Sequence, residues 1–250
     1  MLDKQISNWL KEYLESNNLN CFIIGISGGI DSALVSTLCA QTGIKTIVLS
    51  MPIHQAQDQL QRANNHIKWL KEKYSNIESF EFDLTNTFET FKSLFPIENK
   101  LALANSRSRL RMVTLYQIAG TYNGLVVGTG NKVEDFGVGF YTKYGDGGVD
   151  ISPIADLTKT EVRALASELG INQEIILAPP TDGLWEDDRS DEDQIGATYE
   201  ELEWAMDFKG DIQKLFGRQK EVYYIFNKLN NQNKHKMIEI PIFKNNKYVS

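Results

Sequence analysis

The sequence predicts an α/β fold: a doubly wound parallel sheet with helices on both faces. Three observations carry that expectation. Short apolar runs rich in β-branched residues alternate with helical patterns of about 10–15 residues, which is the signature of βαβ units. The first of those runs ends in a glycine-rich turn that opens a helix. The chain has 250 residues, 42% apolar and 24% charged. That length suits one domain, 1–250, burying roughly three quarters of its unfolded surface without disulfide or metal staples.

The elements follow in order. Residues 3–16 form an amphipathic helix, with Leu2, Ile6, Trp9, Leu10, Tyr13 and Leu14 at helical spacing, packed on the domain or against another subunit. A buried strand begins at Cys21 and runs into Ser27-Gly28-Gly29-Ile30-Asp31-Ser32, with a helix from Ala33 to Ala40. Lys45 to Met51 is a second strand, stopped by Pro52. Asp58 to Tyr74 is helical, Ile77 to Leu84 a third strand, and Thr85 to Phe95 a helix with Phe88, Phe91 and Leu94 inward. A helix then runs from Asn105 to Tyr122, carrying Arg107, Arg109 and Arg111 near its start. Cations there oppose the helix dipole, so they suggest an anion or a salt-bridged face. Leu125 to Thr129 is a fourth strand.

Residues 137–150 carry five glycines interleaved with aromatics, a composition that suits a ligand-binding loop with little buried apolar surface of its own. Thr160 to Leu169 is a helix, with Thr158 and Glu161 at capping-box spacing. Lys159 in its first turn is unfavourable to the dipole unless it meets a phosphate. The acidic run 186–193 reads as solvated, and 199–207 and 214–230 as helices, followed by the basic tripeptide Lys234-His235-Lys236. His54 and His66 are lone histidines, expected at the surface or in caps.

The chemistry begins at residues 27–32. A strand, a glycine turn and a helix form the layout that cradles phosphate with backbone N–H groups. A Gly pair alone fits any βα turn, but six set positions after a buried strand favour the phosphate loop. Asp31 places a carboxylate where phosphate would sit, which implies an intervening Mg²⁺. Glu134 lies beyond the carboxyl end of another strand, on the same rim, so the two acids can share that metal.

Net charge is −7, which disfavours nucleic-acid binding. Cys21 and Cys39 read as buried thiols of a reducing compartment, with no CxxC or zinc spacing. No stretch reaches the roughly 20 apolar residues of a membrane span, and the N-terminus lacks a signal-peptide pattern. A cytoplasmic location is expected.

The loop resembles the Ser-Gly-Gly-x-Asp-Ser motif of the ATP pyrophosphatases, whose fold is adenine nucleotide alpha hydrolase-like. Together with Arg109-x-Arg111-Met112, Phe140-x-Thr142-Lys143-Tyr144-Gly145-Asp146-Gly147-Gly148, Leu157-Thr158-Lys159 and His235-Lys236, it makes nearly the whole chain similar to the ammonia-dependent NAD synthetases. The resemblance implies amidation of deamido-NAD by ammonia through an acyl-adenylate. Gly25, Ile26, Ser27, Gly28, Gly29, Ile30, Asp31, Ser32, Thr129, Lys159 and Thr181 would bind ATP. Asp31 and Glu134 would hold Mg²⁺. Arg109, Lys143, Asp150, His235 and Lys236 would bind the dinucleotide between two subunits of a homodimer. Asp31, Lys159 and Glu134 would carry the chemistry, and Asp150 is the candidate to take the proton from ammonium. Two departures stand out: Met237 replaces the usual Arg after His-Lys, and Asn131 replaces a histidine after Thr129. Neither cysteine suits a glutaminase nucleophile, and a synthetase fold uses nearly all of the 250 residues.

Overall fold

The computed structural model describes residues 1–97, 99–181 and 190–245. Among them, β1 (Cys21–Gly25), β2 (Thr46–Ser50), β3 (Ile77–Glu81) and β4 (Gly124–Val126) form one parallel sheet. The strand order is β3-β2-β1-β4. The chain therefore steps outward from β1 to β3, then returns to the other side of β1. That reversal makes the gap between β1 and β4 the switch point, where open α/β sheets bind their ligands beyond the strand carboxyl ends.

Alternate residues of each strand enter different cores, as a sheet covered on both faces requires. Phe22, Ile24, Val48 and Leu125 meet α1 (Leu2–Ser16), α2 (Ile30–Gln41), α3 (Gln57–Lys73) and α6 (Lys159–Glu168). Cys21, Ile23, Ile47, Leu49 and Val126 meet Leu115, Ile118 and Ala119 of α5 (Lys100–Tyr122). Helix α2 is buried nearly all round, Leu34 and Leu38 completely so, and each such leucine contributes about 1.5–3 kcal/mol by leaving water. A third cluster joins a π-helical turn (Val133–Val138) to α9 (Tyr199–Asp207) and α10 (Gly217–Met237). Short helices α4 (Thr85–Lys92), α7 (Gln173–Ile176) and α8 (Asp191–Ile195) complete the outline.

Several boundaries differ from the sequence reading. Helix α5 starts at Lys100, where the Asn99 side chain accepts the Ala102 N–H. The three arginines therefore sit two turns inside the helix, beyond reach of the N-terminal dipole. Only Phe88 of α4 is buried, and Phe91 and Leu94 are exposed. Strand β4 ends at Val126, short of the expected Thr129; the Val127 N–H still bonds the Ile23 carbonyl of β1, while residues 150 and 151 bond the other edge of the chain at Val126 and Gly128. Helix α10 runs through Met237, so His235 and Lys236 are helical residues. In the acidic run, 186–189 lie outside the described residues, while Asp191 is buried at the start of α8. The Thr158–Glu161 capping box forms as expected.

Candidate active site

The loop after β1 is organised by its serines. Ser32 Oγ accepts the Ser27 N–H and donates to the Gly29 carbonyl, and Ser27 Oγ accepts the Gly29 N–H. Gly28 has φ +86°, and a Cβ there would overlap the Gln59 carbonyl of α3. Only glycine meets both conditions, so this residue lets the loop turn tightly beneath α3. Helix α2 begins at Ile30, three residues before the expected start, which puts Asp31 and Ser32 in its first turn. An acid at that end is favoured by the helix dipole.

The π-helical turn after β4 presents Glu134. A π turn inserts one extra residue per turn and is common at functional sites. Asn131, fully buried, holds this turn: its Oδ1 accepts the Val133 and Glu134 N–H groups, and its Nδ2 donates to Asp31 Oδ1 at 3.2 Å. The residue that departs from the family pattern thus ties the two candidate metal ligands together.

Between those two acids stands Lys159. Its Nζ lies 2.5 Å from Asp31 Oδ2 and 3.2 Å from Glu134 Oε1. Tyr199 Oη donates to the same Glu134 oxygen at 2.5 Å. Burial by itself would lower the Lys159 pKa, but Asp31 and Glu134 outweigh it and raise it, so the ammonium stays charged. Burial raises the Glu134 pKa, against the lowering pull of Lys159. The Lys159 cation at the start of α6 is therefore compensated by carboxylates in this structure.

A cavity of about 540 Å³ opens beyond the carboxyl ends of β1 and β4. The loop 25–32, Thr129, Glu134, Lys159, Thr181 and Lys236 all line it. Asp135 lines it too, with its pKa raised to about 7, first by burial and then by Glu134, Asp146 and Asp31. Among the described residues no set of three acidic, histidine or cysteine side chains forms a metal cage. Two convergent carboxylates already gather round one cation, however. Such a donor set fits Mg²⁺, which takes one or two carboxylates and completes its shell with phosphates and water.

Comparison with known proteins decides the lineage. The model of the NAD synthase family matches residues 2–241. The chain belongs to the NAD synthase family. It is 39% identical over 202 residues to an NH(3)-dependent NAD(+) synthetase of Carboxydothermus hydrogenoformans, covering 80% of this chain and 82% of that one. It is 35% identical over 247 residues to the synthetase of the same name from Saccharolobus solfataricus, covering 94% and 86%. Among solved structures, NMN synthetase from Francisella tularensis superposes with a TM-score of 0.87 at 31% identity, covering 98% and 97%.

Of the residues that the NAD synthase resemblance assigns to the dinucleotide, the structure brings four together. Arg109 Nε donates to the Lys143 carbonyl, Lys143 Nζ to the His235 carbonyl, and Lys236 Nζ to the carbonyls of Gly139 and Tyr141. Asp150 stands apart: it accepts from Tyr116 Oη and from the Val126 N–H, and lies beside Trp9 and Tyr13 rather than on the cavity. It is not placed to take a proton from ammonium there. Met237 packs on Gly139, whose φ of +65° and crowding by Asn233 exclude a side chain.

The glycine-aromatic loop is held more firmly than its composition suggests. Asp146 Oδ1 accepts from Ser108 Oγ and the Thr142 N–H, and Thr142 Oγ1 donates to Asn105. Sequence reasoning missed Tyr199, Asp135 and two cavity arginines, Arg62 and Arg163. Arg163 was findable, since it stands one helical turn after Lys159 and shares its face. His66 is neither at the surface nor in a cap. It is buried, with Nε2 2.9 Å from Ser36 Oγ and its ring stacked on Trp69.

Proposed function

We propose that this chain makes NAD by amidating deamido-NAD with ammonia, converting ATP to AMP and pyrophosphate. The observation that carries this reading is the convergence of Asp31, Glu134 and Lys159 beside the 25–32 loop, at the sheet's switch point, in a chain of the NAD synthase family. Residues 1–250 act as one domain.

Ammonia cannot displace oxide from a carboxylate, so the acid must first be activated. The nicotinate carboxylate attacks the α-phosphorus of ATP, the bond to the pyrophosphate oxygen breaks, and an acyl-adenylate forms. Ammonia then attacks the acyl carbon, AMP leaves, and the nitrogen loses a proton. This route needs positioning and charge compensation rather than a protein nucleophile. The 25–32 loop with Thr129 and Thr181 binds ATP, and Lys159 offsets the charge of the phosphates. Asp31 and Glu134 would hold Mg²⁺, which when bound supplies further neutralisation of phosphate charge.

Arg109, Lys143, His235 and Lys236 receive the dinucleotide, while Asp150, bonded to Tyr116 and the Val126 N–H, holds the end of the loop against β4. The first three lie outside the single-chain cavity, which favours a site shared between two subunits of a homodimer. Exposed Leu101 and Val113 on α5, with Phe95 just after α4, supply apolar surface for such a pairing. Free buried thiols and an ATP substrate favour the cytoplasm.

The likeness to an NMN synthetase supports a second reading that keeps the chemistry and changes the acceptor to the mononucleotide acid. AMP formation from ATP and ammonium, measured with deamido-NAD, with nicotinic acid mononucleotide and with neither, separates the two. Turnover that is fastest with deamido-NAD is expected. Preference for the mononucleotide establishes the second reading, and acceptor-independent AMP release overturns both.

A further inference from the structure

Two guanidiniums line the cavity on the side of Lys159, and neither is among the residues that the resemblance assigns to ATP or the dinucleotide. Arg62 lies in the turn of α3 that covers Gly28, between Gln59 and Ala63, the residues a Cβ on Gly28 would meet. Arg163 lies one turn after Lys159 on α6, on the same face. Both are paired with exposed acids. Arg62 Nη1 is 2.7 Å from Asp58, whose side chain is 66% exposed, and Arg163 Nη1 is 2.7 Å from Glu200, which is 59% exposed. Pairs with acids this exposed contribute little to stability and exchange readily for a stronger anion. The Arg62 side chain is itself mostly buried, and its Nε is buried with no hydrogen-bond partner among the described residues. Leaving such a donor unpaired is unfavourable unless a ligand supplies the acceptor.

A planar guanidinium matches phosphate oxygens in a two-point fork, which a lysine cannot do. The dinucleotide residues Arg109, Lys143 and His235 sit on α5, the glycine-aromatic loop and α10, apart from the α3 and α6 walls that carry Arg62 and Arg163. We infer that Arg62 and Arg163 form a clamp for the pyrophosphate part of ATP, releasing Asp58 and Glu200 when it binds. This rests on the proposed ATP chemistry and assigns the two arginines to the leaving group rather than to the adenylate.

The test is direct binding of magnesium pyrophosphate and, separately, of AMP to the whole chain by calorimetry, for wild type, R62Q and R163Q. Each variant is expected to bind pyrophosphate about 10-fold more weakly, with AMP affinity changed less than 2-fold and the melting temperature close to wild type. Unchanged pyrophosphate affinity in either variant overturns the clamp, as does an equal loss of AMP affinity. If a glutamine variant fails to fold, R62K or R163K decides in its place: at least a 3-fold loss is expected, because an ammonium cannot fork, and no loss overturns the clamp. Binding is read without any acceptor, so a wrong acceptor assignment leaves this result intact, and NAD formation by wild type does not rescue the clamp if the variants are silent.

Discussion

Losing either carboxylate partner of Lys159 leaves its buried ammonium half-compensated. Asp31→Asn and Glu134→Gln should each cut turnover by about 10²–10³, the cost of removing one preorganised charge from a transition state. Each should also lower unfolding stability by about 1–3 kcal/mol, read in urea melts. A variant that keeps a near-native rate at low Mg²⁺ contradicts the assignment. His66 makes a second residue-scale prediction. Burial lowers its pKa from 6.5 to about 4, so the unfolded chain takes up a proton before the folded one does. Stability from this group is full above about pH 6.5 and is lost as pH falls towards 4. The loss should reach about 2 kcal/mol at pH 5. Melts at pH 7.5 and 5.0 should show this loss in wild type and much less of it in His66→Gln. At this scale Asp31 and Glu134 were legible because strand ends at a glycine turn place them. His66 was not, because a lone histidine in a helical pattern carries no sign of the Ser36 and Trp69 that enclose it.

Among the elements, the π-helical turn does most to shape the site. Asn131→Ala removes three hydrogen bonds at once, two that fix the turn and one to Asp31. It should cost about 1–3 kcal/mol of stability and slow turnover. Asn131→Asp, which keeps the acceptor, should recover stability more than rate because it adds charge beside Asp31. Equal rates in wild type and Asn131→Ala would refute the positioning role. Thr158→Ala should cost about 1 kcal/mol by opening the α6 capping box. Helices and strands with strong periodicity were readable before the structure. Their ends were not, since the start of α5 depends on the Asn99 cap. A π turn has no 3.6-residue pattern, so Val133–Val138 gave no signal.

The whole molecule repeats the sequence's main expectation: alternate strand residues feed two cores, and the site opens where the strand order reverses. How far apart the residues of one motif lie in space was not readable. Asp150 follows the glycine-aromatic loop in sequence but is anchored to Tyr116 and β4, away from the cavity. Light scattering should give the mass of a dimer. A monomer that is fully active would show that one chain suffices for the dinucleotide site.

The nitrogen source bears on the central claim. Both cysteines are buried with thiol pKa values raised by burial, so neither is a nucleophile that frees ammonia from glutamine. The decisive measurement is the balance of products from deamido-NAD and ATP with either ammonium or ammonia-free glutamine. With ammonium, NAD, AMP and pyrophosphate should form in equal amounts, at a rate rising with pH towards the pKa of ammonium. Glutamine should support none of them. Efficient NAD formation from glutamine alone, or AMP release without matching NAD, would contradict the account.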